Sequence, residues 1–158
     1  RQALAGMEQV FGPNHPETLR SLGMLALVLR EKGDLEEAEK LSRQALAGSQ
    51  QVLGLDHPIT LASVRNLAGV LSEKGDLEEA EKLQRQALEG MEKVHGFDHP
   101  NTLMSLYNLA CYTARLGKLE EARGHISKAV EQDPEIIEHA LADEDLEPLW
   151  PFIRTLCP

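Results

Sequence analysis

Apolar residues follow two alternating helical patterns along the chain. One pattern begins at a His-Pro pair and places on one face the residues Leu61, Val64, Leu67, Ala68 and Leu71. The other begins after a Gly-Asp pair and places on one face the residues Leu35, Ala38, Leu41, Ala45 and Leu46. Proline suits the first turn of a helix, glycine suits the residue after its end, and aspartate can cap the next helix. No stretch alternates with period two over a convincing length, so the pattern predicts an all-α protein.

The two patterns recur with a period of 42 residues. The segment Arg-Gln-Ala-Leu begins at residues 1, 43 and 85. Residues 1–42 and 43–84 are identical at 29 positions, and residues 43–84 and 85–126 are identical at 21 positions. Because the repeating unit contains one helix of each pattern, it predicts antiparallel helix pairs that stack in series as an α-solenoid.

We predict a single solenoid domain over residues 1–158. Its predicted parts are the second helix of an incomplete repeat at 1–14, repeats at 15–56, 57–98 and 99–135, and C-terminal capping helices at 136–158. A solenoid needs such an end piece to cover the apolar face of its last repeat. The helix at 1–14 has no upstream partner, so we expect Leu4, Met7 and Phe11 to fray or to pair end to end with another copy. We also expect further repeats before Arg1.

Small residues of the repeat carry a family resemblance. The segments Asn66-Leu67-Ala68, Gly75–Ala80 and Ala87-Leu88 resemble the tetratricopeptide repeat. The 42-residue length and the connector Gly-x-Asp-His-Pro-x-Thr-Leu are similar to the longer variety found in kinesin light chains. The resemblance covers about residues 1–135. It implies a right-handed superhelix of helix pairs whose concave groove holds extended or short helical peptides.

Charge and cysteine content argue against several classes of protein. The chain has 16 Lys and Arg against 26 Asp and Glu, for a net charge of −10, which disfavours binding to nucleic-acid backbones. No apolar run approaches the roughly 20 residues of a bilayer span. The first residues have no secretory pattern, and Cys111 and Cys157 have the spacing of neither a disulfide framework nor a metal site. We therefore expect a cytoplasmic protein with no cofactor and no nucleic-acid or membrane partner.

The recurring histidines His15, His57 and His99 are candidate metal ligands by residue type alone. Packed helices lie about 10 Å apart, whereas zinc ligands lie about 2 Å from one metal. We therefore expect these histidines to mark helix starts.

Acidic runs and a cysteine are the remaining candidates for catalysis. The acidic runs fall in first helical turns, where negative charge complements the helix dipole, and Glu36 and Lys40 have the spacing of a favourable i,i+4 pair. Cys111 has no glycine elbow and no recognisable Ser-His-Asp order around it, so we expect it to be a packing residue. We predict that the protein is not an enzyme.

The helix that begins at the His-Pro pair is the first helix of each repeat. One face of these first helices lies opposite their core face, and by resemblance it lines the concave groove. This face carries apolar and small residues, and methionine suits an adaptable contact surface. Asn66 and Asn108 match the groove asparagine of the family, whose amide can both donate and accept hydrogen bonds. The predicted peptide-binding residues, called here the groove strip, are Arg20, Met24, Leu27, Arg65, Asn66, Gly69, Met104, Tyr107, Asn108 and Arg115. In an alternative interpretation these residues contact the neighbouring repeat.

The charge of the first helices suggests the partner. Residues 15–32, 57–74 and 99–116 each carry a net charge of +1, although the whole chain is acidic. We therefore expect a protein or peptide partner with acidic residues or a free C-terminus, contacted by Arg20, Arg65 or Arg115. The predicted function is a protein–protein interaction scaffold. A structural or oligomerisation segment and the sensor part of a larger signalling protein or enzyme remain as alternatives.

Overall fold

The computed structural model describes the backbone of residues 2–157 and the side chains of residues 6–157. Regular structure within these residues is entirely helical, which confirms the all-α prediction over this range. The α-helices are α1 (Gln2–Phe11), α2 (Pro16–Glu31), α3 (Leu35–Leu53), α4 (Pro58–Lys74), α5 (Leu77–His95), α6 (Pro100–Arg115), α7 (Leu119–Gln132), α8 (Ile136–Ala142) and α9 (Trp150–Ile153). Short 3-10 helices, η1 (Glu144–Leu149) and η2 (Arg154–Leu156), flank α9. None of the helices in this range has the length and apolar character needed to cross a membrane.

Helix starts follow the predicted local signals. In α2, α4 and α6 the first residue is a proline, and the histidine before it accepts a backbone hydrogen bond at its Nδ1 atom. The donor–acceptor distances are 3.3 Å for Glu17 N–H to His15, 3.2 Å for Ile59 N–H to His57 and 3.1 Å for Asn101 N–H to His99. Each imidazole therefore satisfies an amide that has no partner within its helix, which confirms these histidines as helix starts.

The first compact unit comprises residues 1–90. Within it α1 packs on α2, α2 packs on α3 and α4, and α3 packs on α4. The buried cluster of this unit consists of Leu22, Ala26, Leu29, Ala38, Leu41, Ala45 and Val70. Glycine allows a close approach of α2 and α3, because a Cβ atom added to Gly48 would lie only 2.5 Å from Leu19 Cδ2.

Helix α1 makes polar and aromatic contacts with the residues that follow it. Ser21 Oγ donates a hydrogen bond to Met7 Sδ at 2.9 Å, and the rings of Phe11 and His15 stack with centroids 4.8 Å apart. The side chain of Leu4 lies outside the described residues. Fraying or end-to-end pairing of this helix stays a prediction.

Ion pairs link α3, α4 and α5 in the first unit. Lys74 Nζ lies 2.7 Å from Glu36 Oε1 and 2.6 Å from Glu39 Oε2. Arg43 Nε lies 2.7 Å from Glu39 Oε1, and its two terminal nitrogens donate to both oxygens of Glu79 at 3.0 Å. Five side chains, alternately acidic and basic, therefore join these three helices.

The predicted i,i+4 pair of Glu36 with Lys40 is wrong. Lys40 Nζ lies 3.2 Å from Glu37 Oε2 instead, and Glu36 pairs with Lys74. The physical reason is that α4 places a cation beside Glu36, and the local sequence of α3 does not reveal this second cation.

The second compact unit comprises residues 91–158. Within it α6 packs on α7, η1 packs on both, and α8 and α9 pack on α7. Leu146, Leu149 and Ile153 are fully buried, and Trp150 Nε1 donates a hydrogen bond of 3.1 Å to the carbonyl oxygen of Ala140. The segment predicted as capping helices therefore buries apolar side chains against α6 and α7, and its role as a solenoid cap stays a prediction.

Candidate functional site

The groove strip of the first unit contains both exposed and half-buried residues. On α2, Arg20 and Met24 are exposed and Leu27 is half-buried, and Met24 is 61% exposed. Its residues on α4 are all half-buried, and they are Arg65, Asn66 and Gly69. An exposed methionine on α2 is available for contact with a partner.

Asn66 and Gly69 lie against α2. A Cβ atom added to Gly23 would lie 3.5 Å from Asn66 Nδ2, and one added to Gly69 would lie 2.5 Å from a terminal nitrogen of Arg30. Arg30 Nε also lies 3.1 Å from Glu73 Oε1. The guanidinium of Arg30 therefore covers Gly69, and both strip positions make the interhelical contacts of the alternative interpretation.

The arginines expected to contact a partner already interact within the protein. Arg20 pairs with Glu17 on the same helix, and Arg115 Nε lies 3.6 Å from Asp145 Oδ1. Arg65 also has an interacting partner. A partner carboxylate would therefore compete with existing interactions, which lowers the gain from binding to these arginines.

A cleft of about 740 Å³ opens between α6 and α8 in the second unit. We call it the α6–α8 cleft. Its α6 side is formed by Pro100, Leu103, Met104 and Tyr107. The other side is formed by Asp133, Glu135, Ile136, His139, Ala142, Asp143 and Glu144. Met104 is 52% exposed in this cleft, so an apolar surface is open to contact.

Asp143 joins the two sides of the cleft. Its Oδ2 atom accepts a hydrogen bond of 2.7 Å from the Tyr107 hydroxyl and a longer one of 3.6 Å from Cys111 Sγ. Burial, and then the hydrogen bond to Asp143, raise the pKa of Tyr107 far above its usual range. Burial, and then the charge of Asp143, likewise raise the pKa of the Cys111 thiol. Both groups stay protonated at neutral pH, which suits hydrogen-bond donors and not nucleophiles.

The four strip residues of α6 have different surroundings. Met104 and Tyr107 line the cleft, whereas Asn108 is half-buried outside its lining. Arg115 lies beside Asp145. Burial raises the pKa of the Asp145 carboxyl above its usual value, and the charge of Arg115 offsets only part of this rise. The cleft residues that follow α7 are not among the residues predicted from the sequence. The available signal was the excess of acidic residues after Gln132, but their proximity to α6 arises only from tertiary packing.

The chain belongs to the tetratricopeptide repeat family. The model of this family matches residues 1–51, 22–93 and 60–135. These matches cover the helix pairs described above, and they confirm the resemblance and the α-solenoid fold class. No sequence among the curated proteins matches the chain significantly.

Solved structures with the same fold include kinesin light chain-type proteins. A protein of Podosopora anserina assigned as a kinesin light chain, with nearly identical TPR-like repeats, is 30% identical with a TM-score of 0.72. The match covers 77% of this chain and 58% of that one. A point variant of the same fungal protein is also 30% identical, with a TM-score of 0.71 and coverage of 77% and 57%.

BtubC (BKLC) from P. vanneervenii is 15% identical and shares the fold, with a TM-score of 0.77. The match covers 90% of this chain and 61% of BtubC. The present chain thus spans about three fifths of the length of each of these structures. Family and fold together support a protein–protein interaction scaffold with protein partners, a role for which this fold typically supplies no catalytic groups.

Proposed function

We propose that the protein binds a peptide or an extended segment of a partner protein at its groove strip. The observation that carries this proposal is the α6–α8 cleft, because two residues of the strip, Met104 and Tyr107, line it. Its volume of about 740 Å³ is within the range of roughly 300–1,000 Å³ that is typical of ligand pockets. A cytoplasmic location stays a prediction.

Binding at this site requires little reorganisation of the protein. Tyr107 and Asp143 hold the two sides of the cleft together through a direct hydrogen bond. A preformed site loses little side-chain and loop entropy on binding. The exposed thioether of Met104 can adapt to different apolar side chains of a partner.

Selection from a random peptide library, followed by titration calorimetry, tests the proposal. We expect Met104→Glu to weaken selected peptides at least about tenfold, because it places a charge on the apolar surface of the cleft. Val94→Glu is the matched control, since Val94 is 41% exposed on α5 and does not line the cleft. Failure to select any peptide, or equal binding by both variants, would contradict the proposal.

The groove asparagine is tested separately. We expect Asn108→Ala to weaken the same peptides, because the amide offers both a donor and an acceptor to a peptide backbone. Asn101→Ala, on the same helix and outside the strip, is the control. Equal affinities for the two variants would remove Asn108 from the binding site.

Self-association is a second candidate function, and two exposed residues on α2 favour it. Met24 and Val28 lie one turn apart and are 61% and 45% exposed. A second copy could cover this apolar pair. Light scattering tests the idea, because a mass that stays at 17.5 kDa at all concentrations would contradict it, whereas a rising mass that Met24→Lys with Val28→Lys abolishes would support it.

A role as the sensor part of a larger protein remains the third alternative. The chain spans about three fifths of the matched structures. A longer reading frame that encodes a catalytic or signalling domain beside these repeats would support this alternative.

A further inference from the structure

We infer that the α6–α8 cleft selects a partner segment in which a bulky apolar side chain is flanked by Lys or Arg. This inference rests on the proposed function and adds the chemistry of the partner. It differs from the acidic partner expected from the charge of the first helices.

The floor of the cleft is apolar. Leu103, Met104 and Tyr107 form its α6 side, and Ile136 and Ala142 face it from α8. Aromatic side chains bury roughly 150–250 Å² each and contribute strongly to interfaces. The cleft volume of about 740 Å³ can hold such a side chain together with adjoining backbone. The apolar floor therefore selects for one large apolar residue.

The rim of the cleft is acidic. Its charged lining residues are Asp133, Glu135, Asp143 and Glu144, and the lining contains no Lys or Arg. His139 is the remaining titratable lining residue other than Tyr107. Complementary potential attracts a cationic segment and repels an anionic one.

Two of the rim carboxylates are held in place by the fold. Asp133 Oδ1 accepts the backbone N–H of Glu135 at 3.1 Å, and Asp143 accepts the Tyr107 hydroxyl at 2.7 Å. Glu135 and Glu144 are exposed at the edge of the cleft. Arg115 pairs with Asp145 and does not line the cleft. Fixed and exposed carboxylates therefore line the cleft together with its apolar residues.

Two matched peptide libraries test the inference. Both have a central Trp, Phe or Leu, and the flanking positions are Lys or Arg in one library and Asp or Glu in the other. We expect binders from the basic library, with affinity that falls as salt is raised because exposed charges are screened. We expect Glu135→Lys with Glu144→Lys to weaken these binders at least about tenfold.

The control double variant is Glu131→Lys with Glu138→Lys. Both glutamates are exposed in the second unit and lie outside the cleft lining. The control changes the net charge by the same amount as Glu135→Lys with Glu144→Lys, because each variant replaces two glutamates with lysine. If circular dichroism shows that the variant Glu135→Lys with Glu144→Lys does not fold, we use Glu135→Gln with Glu144→Gln in its place. This second variant removes the two charges without reversing them. Its expected effect is smaller and in the same direction.

Each outcome separates this inference from the proposed function. Basic peptides that lose affinity with the rim variant and keep it with the control support both. Acidic peptides that bind and are lost with Met104→Glu overturn the inference and leave the proposed function in place. Equal losses in the rim and control variants overturn the inference, because the effect is then one of net charge alone. If neither library contains a binder, both proposals fail.

Discussion

The hydroxyl of Tyr107 donates a 2.7 Å hydrogen bond to Oδ2 of Asp143, which lies 36 residues later in the chain. Oδ1 of the same carboxylate accepts the backbone N–H of Asp145 at 3.0 Å and so caps the start of η1. One side chain therefore fixes the start of η1 and attaches it to α6.

Tyr107→Phe should lower the free energy of unfolding by about 1–2 kcal/mol, because it leaves a half-buried carboxylate without one of its donors. Urea unfolding of the wild type and the variant measures this difference. A double-mutant cycle with Asp143→Ala supplies the control. If the two substitutions were simply additive, the bond would not contribute to stability.

The two cysteines should differ strongly in reactivity with a thiol reagent. Cys111 is buried and its thiol pKa is raised, whereas Cys157 is exposed. Because the thiolate is the reactive form, the native protein should react rapidly at one thiol and expose the second only on unfolding. A Cys157→Ser variant should therefore show no fast phase, and rapid labelling of this variant would contradict the burial of Cys111.

Glu39 should make stability depend on pH. Its hydrogen bonds to Lys74, and then to Arg43, hold the pKa of its carboxyl below the usual value of 4.5. An acid with a lowered pKa in the folded state contributes stability above its unfolded pKa, and that contribution is lost as the pH falls through the folded pKa. Glu39→Gln should therefore cost about 1 kcal/mol at neutral pH and progressively less in acid.

Urea unfolding across this pH range tests the prediction for Glu39. Glu31→Gln, an exposed change on α2, is the control and should stay within about 0.5 kcal/mol of the wild type at all pH values. A Glu39→Gln difference that persists undiminished at low pH would show that packing, and not charge, is responsible.

Gly48→Ala should lower stability. The added Cβ would lie 2.5 Å from Leu19 Cδ2, and Leu19 is only 2% exposed, so its side chain has little room to move. Overpacking costs about 1–3 kcal/mol, and the middle of this range exceeds the gain in helix propensity of about 1 kcal/mol. We therefore expect a net loss of about 1 kcal/mol.

The matched control for Gly48 is Gly124→Ala on α7. A Cβ atom added there would meet no atom within 4 Å, so the propensity gain of up to about 1 kcal/mol should remain. Thermal unfolding should move in opposite directions for the two variants. Stabilisation by both would mean that α2 and α3 can separate slightly without cost.

The sequence alone was sufficient to predict the helices of the repeats and the family. The predicted start at His57-Pro58 and the predicted end near Lys74-Gly75 agree with α4, which runs from Pro58 to Lys74. Gly75 has a φ of 92°, as expected of a residue that ends a helix. These features depend on neighbours within a few residues, and the 42-residue repeat presents them more than once, so local chemistry predicts them.

Tertiary structure alone decided which residues surround the candidate site. The sequence pattern put Gly69 and Tyr107 among the predicted groove-strip residues, but it did not predict that Arg30 covers the first or that Asp143 binds the second. Residues after position 135 have no match to the repeat, so periodicity could not bring them beside α6. Their position depends on how apolar residues such as Leu146 and Ile153 pack against the last helix pair, and such packing depends on the whole arrangement of side chains.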